Sequence, residues 1–422
     1  MTECRGKVIS VDMEVFRFIQ ENWIVLLIPP ISALVGWITN VAAIKMMFYP
    51  INYVGIRPFG WQGIVPANAL RLAKISNDLI NTKLLSLEQL FESFDANMFS
   101  DKLGSVIDDI TDQIVNDVAN KHAKAMWDNA GDVMQGKVRA MVRAEVVDVC
   151  VKVAADMGND ITNILDLEKT VLDAIGKDRA LMGRMFLEVG GKEFKFIEVS
   201  GLYFGFLFGV IQMFVWLIYP KWWILPLAGF IVGYATNWIA IKMIFRPQAP
   251  VKIGPFTIQG VFHKRQKEVA KAFADVVAND VLNADNIVAS VNNSSGSVRM
   301  EQIVETRVGE LIAKYEAHPM AAMLVPANQR VQLREEVLVQ IKEEWPKPGG
   351  FFHTFAGTAV DLRGELDSRL SALDAEAYEG VLRPAFQQDE WKLIVAGAVL
   401  GLAAGIAQLV YLFGEVFEKL NA

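Results

Sequence analysis

The chain has 422 residues, of which 53% are apolar and 21% charged, with a formal net charge of −7 and a mean hydropathy of +0.28. Cys4 and Cys150 lie far apart and the four histidines are scattered, which supports neither a disulfide framework nor a metal site. A mildly acidic chain whose polar stretches lack paired stacking aromatics also argues against nucleic acid as a partner.

Residues 1–22 read as an N-terminal tail, with no compact basic region and cleavage site of the signal-peptide kind before Ile24. The first apolar run, 24–48, is long enough to cross a hydrocarbon core of about 30 Å. It carries Pro29, which predicts a kink, then Gly36, Thr39 and Asn40, and ends with Lys45 three residues before Phe48. Val54 to Gly63, V-x-I-x-P-F-x-x-Q-G with Pro58 and Phe59, reads as a short β-hairpin at the membrane interface. Residues 75–192 form a polar region of amphipathic helices, clearest at 137–155, with breaks at 129–131, 158–160 and 190–191. Residues 75–190 hold 20 acids against 12 bases, which suits a solvated helix surface or an acidic face that binds a partner or attracts cations.

A second span, 201–219, follows Glu193-Phe194-Lys195, and its Gly201, Gly205, Gly209 and Gln212 fall on or beside one helix face. Only Pro220 and Lys221 separate it from a third span, 222–245, which carries Pro226, Thr236, Asn237 and Lys242. Val251 to Gly260 repeats the hairpin pattern, and Lys264, Arg265 and Lys267 follow at once. A second helical polar region, 272–389, leads through Glu390-Trp391-Lys392 to a fourth span, 393–413, with Gly397, Gly401, Gly405 and Gln408. Residues 414–422 form a C-terminal tail.

The chain says the same thing twice. Gly36–Lys74 returns as Gly233–Lys271 at a constant offset of 197, with 17 of 39 positions identical. This divides it into repeat 1 (23–219) and repeat 2 (220–413), each made of a span, a helical soluble region and a second span. Each half crosses twice and returns to its starting side, so the halves are parallel. The expected fold is an all-α integral membrane protein with four transmembrane helices in two parallel repeats, each with a large soluble helical domain and a short hairpin. Lys and Arg cluster near the span ends on the soluble-region side, which places those regions in the cytoplasm by the positive-inside rule.

Thr39, Asn40, Thr236 and Asn237 are polar groups where lipid offers no water, so they must face protein or a wet cavity. They are either interhelical hydrogen-bonding groups or the lining of a path. Lys45 and Lys242 read as snorkelling residues or anionic-headgroup contacts, and Lys264, Arg265 and Lys267 as headgroup contacts. The glycine faces with Gln212 and Gln408 read as helix-packing surfaces. None of the familiar nucleophile, zinc-protease, phosphate-loop or paired-cysteine patterns occurs, so no cofactor, metal or catalytic residue is expected.

The doubled TN-x-x-AIKM-x-F-x-P, followed by P-F-x-x-Q-G and by E-[FW]-K before a glycine-repeat span, resembles a bacterial family. It is the one catalogued as domain of unknown function 445, which includes YheB-like and YjiN-like membrane proteins. In that family the element after Q-G often continues to a Pro followed by basic residues. Here the first copy keeps Pro66 with Ala67 and Asn68, and the second has His263 with Lys264 and Arg265. The resemblance implies a multi-pass protein of the bacterial inner membrane and no established activity. Two functional classes stay open: a non-enzymatic scaffold or lipid-associated envelope protein, with a homo-oligomer or protein partner through the helical domains; and a transporter or channel for a small solute, ion or lipid.

Overall fold

A computed structural model describes residues 23–56, 60–79, 81, 103–122, 124–316, 331–332, 335–336, 338–339, 347, 349–358, 361–387 and 390–412. Both tails, Phe413, Pro58 and Phe59 lie outside the described residues. The first half comprises a 3-10 turn (Trp23–Leu27), α1 (Ile28–Phe48), α2 (Ile64–Ala67), α3 (Ala69–Leu79), α4 (Gly104–His122), α5 (Lys124–Asn129) and α6 (Gly131–Asn159). It continues with α7 (Ile161–Ile164), α8 (Leu167–Lys177) and α9 (Arg179–Ile218). The second half comprises α10 (Ile224–Phe245), β1 (Val251–Ile253), β2 (Phe256–Ile258), α11 (Val261–Lys264), α12 (Gln266–Val276) and a π turn (Val277–Val281). After them come α13 (Ala284–Asn292), α14 (Gly296–Glu316), α15 (Phe351–Thr358), α16 (Leu362–Ala372), α17 (Ala375–Gln387) and α18 (Glu390–Leu412).

Among the described residues, four helices are long and apolar enough to cross a membrane: Val25–Phe48, Arg179–Ile218, Ile224–Phe245 and Glu390–Tyr411. Their outward side chains include Leu34, Ile38, Phe206, Ile211, Ile231, Val399 and Ile406, all exposed in the isolated chain. In water such a surface would be unstable; in hydrocarbon it is the ordinary outside of a bundle. Pro29 and Pro226 both fall in the first turn of their helices, α1 and α10. There an amide has no intrahelical acceptor, so a missing N–H costs nothing and the expected mid-span kink does not arise.

The boundary expected between 192 and 201 is absent, because α9 runs unbroken for 40 residues. Gly190 and Gly191 cost roughly 1 kcal/mol each relative to alanine in a helix. Burial of Leu181, Met182, Met185, Phe186 and Val189 just upstream outweighs that cost. After α10 the chain turns into a ribbon in which Val251 pairs with Ile258 and Lys252 with Thr257, closed by Gly254 at φ +59°. In the first half a single bridge, Val54 to Trp61, occupies this place among the described residues. The Q-G motif anchors both loops in the same way. Gln62 Nε2 donates to the Ile51 carbonyl at 2.8 Å and Gln259 Nε2 to the Gln248 carbonyl at 3.0 Å. Gly63 N–H reaches the Pro50 carbonyl and Gly260 N–H the Pro247 carbonyl, each at 2.9 Å.

The chain divides into two compact units. Unit 1 gathers residues 1–72, 179–269 and 373–422, and unit 2 gathers 73–178 and 270–372. In unit 1, α1 packs mainly on α9 and α10 mainly on α18. In unit 2 the two polar regions share one core instead of each enclosing its own. Leu103, Ile107, Val153, Met157 and Ile164 from the first join Val288, Met300, Val304, Phe352 and Phe355 from the second. The α6 face at Val146, Cys150, Val153, Ala154 and Met157 has helical spacing, and a single layer of amphipathic helices cannot cover such a face alone. Burial pushes the Cys150 thiol up to about 12, so it sits in this core as a small inert hydrophobe.

Much of the acidic surface of the first polar region is spent inside unit 2. Glu145 and Asp156 on α6, and Asp160 just after it, pair with Lys314, Arg307 and Arg299 on α14. The order of the partners runs backwards, as an antiparallel helix pair requires. Arg307 grips Asp156 with two donors at 2.5 and 2.9 Å.

Candidate functional site

The polar groups inside the spans sit at two helix crossings. At the first, a Cβ on Gly36 would collide with the Gly201 carbonyl, and one on Gly209 would come within 2.7 Å of Pro29 Cα. With the backbones this close, Asn40 Nδ2 donates to the Ile197 carbonyl at 2.7 Å and Thr39 Oγ1 to the Gly36 carbonyl of its own helix at 3.1 Å. Ser32 Oγ donates to Gln212 Oε1 at 3.1 Å, which ties the end of the glycine row.

The second crossing repeats most of these contacts. A Cβ on Gly233 would strike the Gly397 carbonyl, and one on Gly405 would lie 2.8 Å from Pro226 Cα. Asn237 Nδ2 donates to the Leu393 carbonyl at 3.0 Å and Thr236 Oγ1 to the Gly233 carbonyl at 3.4 Å. Gln408 is buried like Gln212, but Gly229 stands 197 residues after Ser32 and has no hydroxyl to offer it. Thr39, Asn40, Thr236 and Asn237 are all buried. Their donors are used on helix backbones, within the helix for Thr and across the crossing for Asn. That arrangement does the chemistry of interhelical hydrogen bonds.

Lys45 and Lys242 are exposed at the ends of α1 and α10, and Lys242 Nζ lies 5.8 Å from the centre of the Trp238 ring. Lys264 and Lys267 are exposed as well. Arg265 is not free to meet headgroups. It donates to Glu193 Oε1 at 2.6 Å and to Glu268 Oε2 at 3.0 Å, and Lys192 closes on Glu268 at 2.8 Å. Burial lowers the affinity of the Arg265 guanidinium for its proton, but Glu193 and Glu268 outweigh that and raise it. Lys192 and Arg265 in turn hold the Glu268 carboxyl below its ordinary range.

A second charged cluster lies at the foot of α10. Its centre is Glu379 on α17, whose side chain is 7% exposed. Glu379 Oε2 accepts from Gln248 at 2.6 Å and from Arg246 at 3.1 Å, and Oε1 accepts from Arg383. His263 Nε2 stands 3.4 Å from the same carboxylate, fully buried beside Tyr378 and Phe262. Phe262 and Tyr378 stack at 4.7 Å, and the Arg383 guanidinium lies 5.0 Å over Phe245. Arg383 also faces Glu390, the first residue of α18, at 3.6 Å. Burial pushes the Tyr378 hydroxyl well above its usual range. For Glu379, burial pushes the carboxyl up, but Gln248, Arg383 and Arg246 outweigh it and hold it below the usual 4.5.

The members of this cluster are scattered between 246 and 390 and read singly as surface charges. The one available signal was the departure at His263, which stands where the first copy has Pro66. A pH consequence follows from Glu379. A carboxyl bound more weakly to its proton in the folded state contributes stability above its unfolded pKa and loses it on acidification through the folded value. The stability gap between wild type and Glu379→Gln is therefore expected to be widest near neutrality and to narrow below about pH 4.5, read from unfolding curves at several pH values.

Residues 227–345 match the family model described as Protein of unknown function (DUF445). A UPF0754 membrane protein of Shouchella clausii is 31% identical over 137 residues, which cover 32% of this chain and 34% of that protein. A UPF0754 membrane protein of Bacillus cytotoxicus is 33% identical over 87 residues, 20% of this chain and 23% of the relative. One from Rippkaea orientalis is 42% identical over 66 residues, 15% of this chain and 16% of the relative. The chain thus spans about a third or less of the length of these curated relatives. No solved structure matches it.

Proposed function

Since the chain is a membrane protein of the DUF445 family, we propose that it works as a non-enzymatic scaffold of the bacterial inner membrane, associated with anionic lipid. In this reading two parallel copies of one design each cross the membrane twice. The helical regions face the cytoplasm, and a partner protein or second copy binds through them. The observation that carries the proposal is the paired bond of Asn40 to the Ile197 carbonyl and Asn237 to the Leu393 carbonyl. The side chains that a path through the spans would need are committed to holding the spans together. A glycine crossing with backbones in contact suits a rigid anchor better than a sliding pair. Exposed Lys264, Lys267 and Lys271, with Lys252 on the ribbon, supply a basic face for lipid headgroups, each base contributing about 1 kcal/mol at low salt.

The test is reconstitution of the full chain in sealed vesicles. A scaffold is expected to leave potassium, proton and small-dye leakage at the protein-free rate. Leakage above that rate, abolished by Asn40→Ala with Asn237→Ala, would replace the scaffold with a transporter or channel. Reporter fusions at residues 130 and 221 test the orientation, with 130 expected in the cytoplasm and 221 outside.

A further inference from the structure

We propose that the cross-strand pairs Val54–Trp61 and Val251–Ile258 are interfacial anchors, whose apolar side chains sink into the headgroup zone of one phospholipid leaflet. The proposal rests on the chain spanning a membrane, and it holds for a scaffold and for a transporter alike.

The two pairs are equivalent. Val54 and Trp61 exchange both backbone hydrogen bonds, at 2.9 and 2.8 Å, and Val251 stands opposite Ile258 in the ribbon of the second half. At the 197 offset Val54 falls on Val251 and Trp61 on Ile258. Side chains directly opposed in an antiparallel pair lie on one face of it. All four are exposed in the isolated chain, Val54 at 62% and the other three at 40–44%. The next rung of the ribbon, Lys252 opposite Thr257, is exposed and polar. The ribbon therefore alternates between an apolar and a polar rung. In the first half Gly55 and Gly60 hold the places of Lys252 and Thr257. There the Tyr53 hydroxyl accepts from the Gly60 N–H at 2.9 Å, and its ring lies 2.4 Å from where a Gly60 Cβ would stand. Only the second ribbon carries a base, but the apolar pair is present in both.

The position of the pairs names their partner. A Cβ on Gly63 would lie 2.7 Å from the Phe48 carbonyl carbon, and one on Gly260 2.6 Å from the Ile244 carbonyl oxygen. Each ribbon is thus seated on the last residues of its span and cannot swing away from the bilayer. Trp61 and Ile258 come two residues before those glycines, roughly 7 Å of extended chain. The headgroup layer beyond the hydrocarbon is itself roughly 5–8 Å deep on each side. The pairs accordingly lie within that layer, continuous with the lipid-facing surface of α1 and α10. They cannot go deeper, because a two-stranded ribbon has open edges whose backbone groups hydrocarbon leaves unpaired. Both ribbons meet the same leaflet. Val25 and Ile28, at the entry to α1, share an apolar cluster with Ile224 and Leu225 at the entry to α10. The spans, of 21 and 22 residues, therefore end together at the opposite end of the bundle.

The experiment places nitroxide labels on the full chain in nanodiscs of phosphatidylethanolamine and phosphatidylglycerol, in a Cys4→Ser background. Cys150 is buried and inert. Collision with oxygen, which partitions into lipid, is compared with collision with a nickel chelate, which stays in water. Labels replacing Val54, Val251 and Ile258 are expected to show an oxygen-to-nickel ratio at least fivefold above that of a label at Gly136, an exposed site in α6. The ratio is expected to stay below that at Ile231 on the lipid-facing side of α10, and a label at Thr257 is expected to resemble Gly136. Val251→Asp is expected to raise nickel access of the Ile258 label at least fivefold, since the two side chains share one face. Nickel access at Val54 and Val251 equal to that at Gly136 would put the ribbons in water and overturn the anchors. Labels shielded from both reagents would overturn them too, because a second copy or a partner protein would then cover the pairs. Vesicle leakage would count against the scaffold and leave this result standing.

Discussion

Gly233→Ala is expected to destabilise unit 1 by about 3 kcal/mol, measured by SDS titration in mixed micelles, because the added Cβ meets the Gly397 carbonyl and backbone cannot step aside as a side chain can. Gly36→Ala is expected to behave alike at the other crossing, where the obstacle is the Gly201 carbonyl. The control lies within the same chain. Gly136, inside α6, has nothing within 4 Å of where a methyl would stand, so Gly136→Ala is expected to be neutral or to stabilise by about 0.5–1 kcal/mol through helix propensity. If Gly233→Ala and Gly136→Ala proved equally mild, the close crossing of α10 and α18 would be wrong.

Arg265→Ala is expected to cost unit 1 about 3–5 kcal/mol, since it strands the Glu193 carboxylate in a site where that residue is 4% exposed. Arg265 is the guanidinium that reaches Glu193, through Oε1, and the other oxygen of that carboxylate, Oε2, is buried without a hydrogen bond. The double variant Glu193→Gln with Arg265→Met removes both charges together and is expected to be less damaging than Arg265→Ala alone. That ordering separates a buried pair from a surface one, where each change would cost well under 1 kcal/mol. A double variant worse than the single one would mean that Arg265 works mainly through Glu268, at the exposed edge.

The spans were legible because hydrocarbon tolerates little else: runs of 20 or so apolar residues announce themselves by length. The glycine faces and the Thr-Asn pairs were legible for the same reason, since a small or polar residue stands out against such a background. Helix continuity was harder. Gly190-Gly191 looks like a break, and only the packing of Met182, Phe186 and Val189 shows why α9 passes through it. The Glu379 cluster was invisible because each member resembles the surface charge that borders any span. A contact between residues 263 and 379 has no local signature. The same holds for Glu145, Asp156 and Asp160, whose acidity suggested a face turned to solvent or a partner, whereas their neighbours are bases more than 130 residues away.

The shared core of unit 2 also sets a clock on biosynthesis. Ile164 and Leu165 complete the contribution of the first polar region, but Phe352 and Phe355 must be made before that core can close. Between them the ribosome has to deliver two spans to the membrane. At roughly 5–20 residues per second, the apolar face of α6 waits on the order of 10–40 s for its partner. During that interval the nascent chain presents Val146, Cys150, Val153 and Met157 to the surrounding water. The first half, released alone, would carry that exposed face permanently, which makes the protein one whose halves must be born in a single chain, or meet quickly, to escape aggregation.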